Sequence, residues 1–166
     1  VEPSAEEARD AFRARRIIES GILSEPEGRP LAKVIRKLRD HIADEQRAVE
    51  GADAATRAFL LADFHVCLAE QLGHQLLVDV LRDLTARTTL AATLYQSKHE
   101  AGQSCADHEA IVAALENGDR PRARSLMLAH IGNVERALEV EASAEPDASA
   151  RLRATLAPVA LPRAKR

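Results

Sequence analysis

The sequence has few aromatic and sulfur-containing residues. Of its 166 residues 2% are aromatic and none is tryptophan, which argues against a platform of aromatic rings for single-stranded nucleic acid. The two cysteines, Cys67 and Cys105, form no CxxC motif, so neither a disulfide framework nor a zinc ribbon is expected. No apolar run reaches about 18 residues, and no signal-peptide pattern is present. The formal charge of −3 means that no net positive charge attracts nucleic acid or an anionic membrane surface. These features predict a soluble, cytoplasmic protein without a membrane partner.

The residues that are present predict a single all-α domain. Hydrophobic residues make up 46% of the chain, enough for a core, and nearly every segment repeats its apolar residues with helical spacing. We expect an antiparallel bundle of six or more helices. Residues 1–142 are predicted to form the domain, and 143–166 a C-terminal tail, with or without a short extra helix. The predicted helices are 5–20, 31–51, 54–72, 75–96, 104–117 and 119–142, with a polar loop before Ser104.

Three histidines stand where the helical pattern predicts core positions. His65, His108 and His130 each lie on the apolar face of a different predicted helix. His108 lies 11 residues before the turn at Asp119 and His130 lies 11 residues after it, so a helical hairpin brings both to the same height. A buried imidazole needs a partner for each nitrogen, and one shared metal ion satisfies three rings together. The pattern therefore predicts a divalent metal site, with zinc or nickel favoured by imidazole ligands.

Two arginines also interrupt predicted interior faces. Arg87 is expected about 6 Å deeper along the bundle than His65, which leaves room for a small anion between a metal and the guanidinium. A guanidinium suits a carboxylate, so Arg87 and Arg15 are predicted to bind a small organic acid. Arg15 also stands four residues before Glu19, so a structural ion pair remains an alternative. For Arg87 the alternative is an edge residue that reaches solvent.

The sequence lacks the known combinations for metal-dependent catalysis in helical proteins. HExxH, Glu-x-x-His, GxGxxG and Walker A motifs are all missing, and we expect no paired carboxylates on the core faces and no general base beside the histidines. The remaining histidines, His41, His74 and His99, are predicted to lie outside the site. A non-enzymatic role is therefore expected. Two alternatives stay open, a small metal-dependent enzyme in a helical bundle and a structural interaction domain with hydrogen-bonded core histidines.

Four segments together resemble the FCD domain, the effector-binding half of FadR-branch (VanR-like) GntR-type transcription regulators. They are the R-x-x-x-E pair of Arg15 and Glu19, DFHVCLAEQLG (63–73), LRDLTARTTLAATLY (81–95) and DHEAIVAALENGDRPRARSLMLAHI (107–131). The resemblance implies a divalent metal held by one Asp and three His, with a carboxylate effector completing the coordination. The three His correspond to His65, His108 and His130. The position of the Asp, four residues before His65, is occupied by Leu61.

The resemblance also implies how such a domain acts. Effector binding would alter the arrangement of a homodimer, and so modulate DNA binding by an N-terminal winged helix-turn-helix. That DNA-binding half would precede Val1, and the operator would be contacted only through it. The sequence is therefore interpreted as the ligand-sensing part of a bacterial transcription regulator.

Overall fold

The computed structural model describes residues 5–25, 31–95 and 98–144, and these residues form six α-helices and no strand. This confirms the predicted all-α fold. The helices are α1 (Ala5–Ser24), α2 (Leu31–Gly51), α3 (Ala54–Gln71), α4 (Gln75–Tyr95), α5 (Lys98–Glu116) and α6 (Arg120–Ala144).

Two tight turns link neighbouring helices into hairpins. Between α3 and α4, Gly73 has a φ of 94°, and between α5 and α6, Gly118 has a φ of 72°. Both values lie in the left-handed region, which glycine adopts without a steric penalty. The Asp119 carboxylate then accepts a hydrogen bond of 3.0 Å from the backbone N–H of Arg122 and caps the start of α6. Both turns are where the sequence predicts them.

Two predicted helix ends are wrong. Helix α1 was expected to end before Gly21, but it continues to Ser24, because Ile22 and Leu23 are buried and their packing outweighs the weak helix propensity of glycine. Helix α5 begins at Lys98 rather than at Ser104, so residues 98–103 of the predicted loop are helical. Ser104 is buried inside the helix and does not start it.

The six helices form a closed ring around a common core. Each packs mainly against two others, in the order α1, α6, α5, α2, α3, α4 and back to α1. The three histidines predicted to occupy core positions on α3, α5 and α6 are all buried. The largest fully enclosed apolar side chains are Phe64, Leu23, Leu38, Leu68, Leu81, Ile111, Leu115, Met127 and Ile131. Within the residues that can be described, no helix has the length and apolar character needed to cross a membrane.

The boundary between a domain at 1–142 and a tail at 143–166 stays a prediction. Helix α6 extends to Ala144, two residues beyond its predicted end. Residues 145–166 lie outside the described part of the chain, and with them the predicted short extra helix.

Candidate metal centre

The three predicted histidines meet in the interior of the ring. His65 comes from α3, His108 from α5 and His130 from α6, and none is more than 3% exposed. One nitrogen of each ring lies within 4.8 Å of the corresponding nitrogens of the other two. The ring centroids are 5.2 Å apart for His65 and His108, 5.3 Å for His65 and His130, and 4.6 Å for His108 and His130. Three imidazoles from three helices therefore converge on one small volume.

A carboxylate holds the Nδ1 atom of each ring. Nδ1 of His65 lies 2.5 Å from Oε2 of Glu19, and Nδ1 of His108 lies 3.0 Å from both carboxylate oxygens of Glu45. Asp107 holds His130 in the same way, with 3.2 Å between Oδ2 and Nδ1. An ionised carboxylate only accepts hydrogen bonds, so each Nδ1 donates its proton and the lone pair of each neutral ring is left on Nε2. This is the outer support that metal-binding histidines commonly have.

The Nε2 atoms of His108 and His130 lie 3.1 Å apart. With both Nδ1 atoms protonated, this contact brings two lone pairs face to face, which is unfavourable unless a cation lies between them. Two imidazole nitrogens bound to one tetrahedral metal at about 2.0–2.1 Å are separated by roughly 3.3 Å. The observed spacing is close to that value, so the cluster could hold a metal ion.

Burial keeps the rings of His65 and His130 in the neutral form that binds metals. Removal from solvent lowers the pKa of His65 to about 3 and that of His130 to about 4. Burial alone would raise the pKa of Glu19, but the neighbouring His65 and Arg15 lower it to about 2. At neutral pH the site thus combines the neutral imidazoles of His65 and His130 with an ionised carboxylate at Glu19.

Arg15 lies where the sequence predicts it, beside the histidines. Its Nε donates to Oε1 of Glu19 at 2.9 Å, and Nη1 donates to the hydroxyl of Thr88 at 3.2 Å. The predicted Arg15–Glu19 pair is therefore present, and Arg15 lines the cavity as well. The cavity has a volume of about 30 Å³ and is lined by Arg15, Ala58, Leu61, Ala62, His65, Thr88, Thr89, Ser104, His108, His130 and Val134.

The predicted placement of Arg87 on an interior face is wrong. Its side chain is 44% exposed and its Nε donates to Asp83 on the same helix at 3.0 Å. Arg87 is not among the described residues that line the cavity. The buried face of α4 is formed instead by Val78, Leu81, Thr85 and Thr88. The helix is therefore rotated about its axis by about one residue relative to the predicted orientation.

Single carboxylates lie on two core faces, each held by a histidine and not by a second carboxylate. Glu19 and Glu45 are 1% and 0% exposed, and Asp107 contacts His130 from α5. Glu45 could have been found from its spacing, because it stands three residues after buried Ile42 and three before buried Ala48. His41, predicted to lie outside the site, does not line the cavity but lies 3.3 Å from Glu45, behind His108.

Comparisons with known proteins identify one family. The family model described as FCD domain matches residues 10–133, a span that contains all three histidines, Arg15, Glu19, Glu45 and Asp107. No curated protein and no solved structure matches the chain. The match covers well over half of the 166 residues. The chain therefore belongs to the FCD family, the C-terminal effector domains of GntR-family regulators.

Proposed function

We propose that this domain senses a small organic acid through a divalent metal ion bound by His65, His108 and His130. FCD domains are regulatory and not typically catalytic, and in GntR regulators they respond to a small molecule while a helix-turn-helix domain binds DNA. Zinc or nickel is the metal that three imidazoles favour. We further propose that the domain acts in the cytoplasm as a homodimer, in which effector binding shifts the arrangement of the attached winged helix-turn-helix domains on operator DNA.

The 3.1 Å separation of the His108 and His130 Nε2 atoms is the observation that carries the metal proposal. The charges around the cluster support it. Three carboxylates, from Glu19, Glu45 and Asp107, surround the rings, and Arg15 supplies one positive charge inside the cavity. A divalent cation at the Nε2 atoms would reduce this excess of negative charge, which is costly in a buried site.

The cavity residues support a carboxylate as the effector group. Three protein ligands leave a coordination position on zinc for water or an added ligand. Leu61 lines the cavity one turn before His65 and offers no ligand atom there. The guanidinium of Arg15 has several N–H donors and uses two of its nitrogens for Glu19 and Thr88, so it retains donors for an anion. A carboxylate could thus contact the metal and Arg15 together.

Acetate binding to protein loaded with Co²⁺ tests this proposal. Co²⁺ can replace zinc, and its visible absorption changes when a ligand enters its coordination sphere. We expect acetate to change the spectrum of the wild type. Arg15→Lys should weaken acetate binding about tenfold, because a lysine loses the planar, two-pronged contact. Arg87→Lys serves as the matched control and should leave acetate binding unchanged.

Two results would contradict the proposal. If tag-free protein does not bind Co²⁺, the proposed metal site is wrong. If millimolar acetate leaves the spectrum unchanged, the proposed carboxylate binding is wrong. If Arg15→Lys and Arg87→Lys weaken acetate binding equally, the anion does not bind in the cavity beside the histidines.

A further inference from the structure

Helix α2 supplies none of the three clustered histidines, yet it packs against both α3 and α5, which carry two of them. Two polar side chains of α2, one turn apart, contact these neighbours. Glu45 holds Nδ1 of His108 on α5, with 3.0 Å to each carboxylate oxygen. His41 contacts the backbone of α3 and also Glu45. Helix α2 thus connects two ligand-bearing helices, although neither of its side chains is among the described residues that line the cavity.

The Nε2 atom of His41 is a hydrogen-bond donor. It lies 3.0 Å from the carbonyl oxygen of Leu60 on α3 and 3.3 Å from Oε1 of Glu45. A carbonyl oxygen only accepts, so Nε2 carries a proton in the neutral and in the charged ring alike. Its N–H is shared between the two oxygens, and Glu45 therefore receives a donor from His41 as well as from His108.

The ring of His108 is held by two different contacts. Phe64 stacks on it at 3.9 Å with an interplanar angle of 11°, which fixes the plane of the ring. Stacking does not distinguish the two orientations that a flip about the Cβ–Cγ bond interchanges, whereas the hydrogen bond to Glu45 does. The position of Glu45 therefore determines which way Nε2 of His108 points.

The single proton of a neutral His108 ring has two competing places. On Nδ1 it is donated to Glu45, and Nε2 keeps a lone pair for a metal. On Nε2 it is donated to Nε2 of His130, which lies 3.1 Å away, and the metal position is blocked. A buried carboxylate that loses one of its donors is held less firmly and accepts less well. The donor at His41 thus favours the form of His108 that binds metal.

We propose that His41 is a positioning residue of the metal centre, which acts through Glu45 to keep Nε2 of His108 free for the metal. This inference rests on the proposed function, because it takes the position of the metal from it. His41 itself contacts neither the metal position nor the cavity. Through the carbonyl of Leu60 it also ties Glu45 to α3, the helix that carries His65.

The zinc affinity of two variants tests the proposal. His41→Phe keeps a ring beside Phe64, whose centroid lies 6.2 Å from that of His41, but removes the donor. His41→Gln retains an N–H donor. We expect His41→Phe to bind zinc about tenfold more weakly, the lower end of the cost of losing an outer partner, and His41→Gln to bind within about threefold of the wild type. Competition with a chromophoric chelator measures these affinities.

His74→Phe is the matched control. His74 is a half-buried histidine outside the cluster, so the same substitution there should leave zinc affinity unchanged.

Nitrogen NMR of metal-free protein with isotope-labelled histidine gives a second measurement, which a merely structural role would not affect. In the wild type we expect a proton on Nδ1 of His108 and on Nε2 of His41. In His41→Phe we expect a larger fraction of His108 with its proton on Nε2. A wild-type His41 without a proton on Nε2 would overturn the proposal, whether or not the variants fold.

Two affinity results would also overturn it. One is equal zinc affinity of His41→Phe and the wild type, and the other is equal weakening by His41→Phe and His41→Gln. In both cases zinc binding by the wild type leaves the proposed function intact. If the wild type binds no zinc, the proposed function fails and the inference fails with it.

Discussion

Replacing Glu45 with alanine is expected to lower the free energy of unfolding by about 2–4 kcal/mol, even without metal. Glu45 is completely buried and accepts hydrogen bonds from His108 at 3.0 Å and from His41 at 3.3 Å. Burial and the nearby Glu45 carboxylate raise the pKa of the Cys105 thiol to about 12. The substitution leaves Nδ1 of His108 in the interior without an acceptor, whereas Nε2 of His41 keeps the carbonyl of Leu60 at 3.0 Å. It also opens a cavity beside His108, whose ring stacks on Phe64 at 3.9 Å.

Urea unfolding in the presence of a chelator measures this effect, and thermal unfolding should show a melting temperature lower by roughly 5–15 °C. Asp40→Ala is the control, because Asp40 is an exposed residue of the same helix. It should change stability by less than about 0.5 kcal/mol. Equal stability of the two variants would show that Glu45 does not hold His108 in the core.

Replacing His108 or His130 with alanine is expected to weaken zinc binding by more than about 100-fold. Loss of a residue that merely supports a metal ligand costs 10- to 100-fold, and loss of a ligand itself costs more. Both rings offer Nε2 to the same point, so either substitution leaves an incomplete site. Competition with a chromophoric chelator measures the affinity.

His74→Ala is the matched control for these variants. His74 is a half-buried residue at the α3–α4 turn and is not among the clustered histidines. Its substitution should leave zinc affinity unchanged. If His108→Ala or His130→Ala binds zinc as tightly as the wild type, the metal lies elsewhere.

The histidine cluster could be predicted from the sequence because helical spacing alone defines it. Each of the three rings replaces an apolar residue on a clear stripe, and the turn at Gly118 sets the heights of His108 and His130. Glu45 also has the helical spacing of a core residue on α2. A single carboxylate on an apolar face is, however, usually expected to point to solvent. The partner of Glu45, His108, lies on α5, and the sequence does not show that the two residues are close. The contact with His41 follows from their spacing of four residues on α2.

Arg87 shows where the pattern fails. Helix α4 has apolar residues on two adjacent faces, and the pattern predicted that the face with Arg87 points to the interior. The observed face buries Thr85 and Thr88, whose hydroxyls donate to the carbonyls of Leu81 and Thr85 at 2.8 and 3.0 Å. A threonine that satisfies its hydroxyl within its own helix can be buried at little cost. Because hydropathy counts threonine as polar, the predicted buried face of α4 differs from the observed one by a rotation of about one residue.

The most direct test of the metal centre is X-ray absorption at the zinc edge on tag-free protein loaded with one equivalent of zinc. We expect three imidazole nitrogens at about 2.0–2.1 Å, one or more additional oxygen neighbours and no sulfur. Acetate should alter the oxygen contribution and leave the imidazole scattering unchanged. A zinc ion coordinated by sulfur from Cys67 or Cys105, or by fewer than three imidazoles, would contradict a shared metal at His65, His108 and His130.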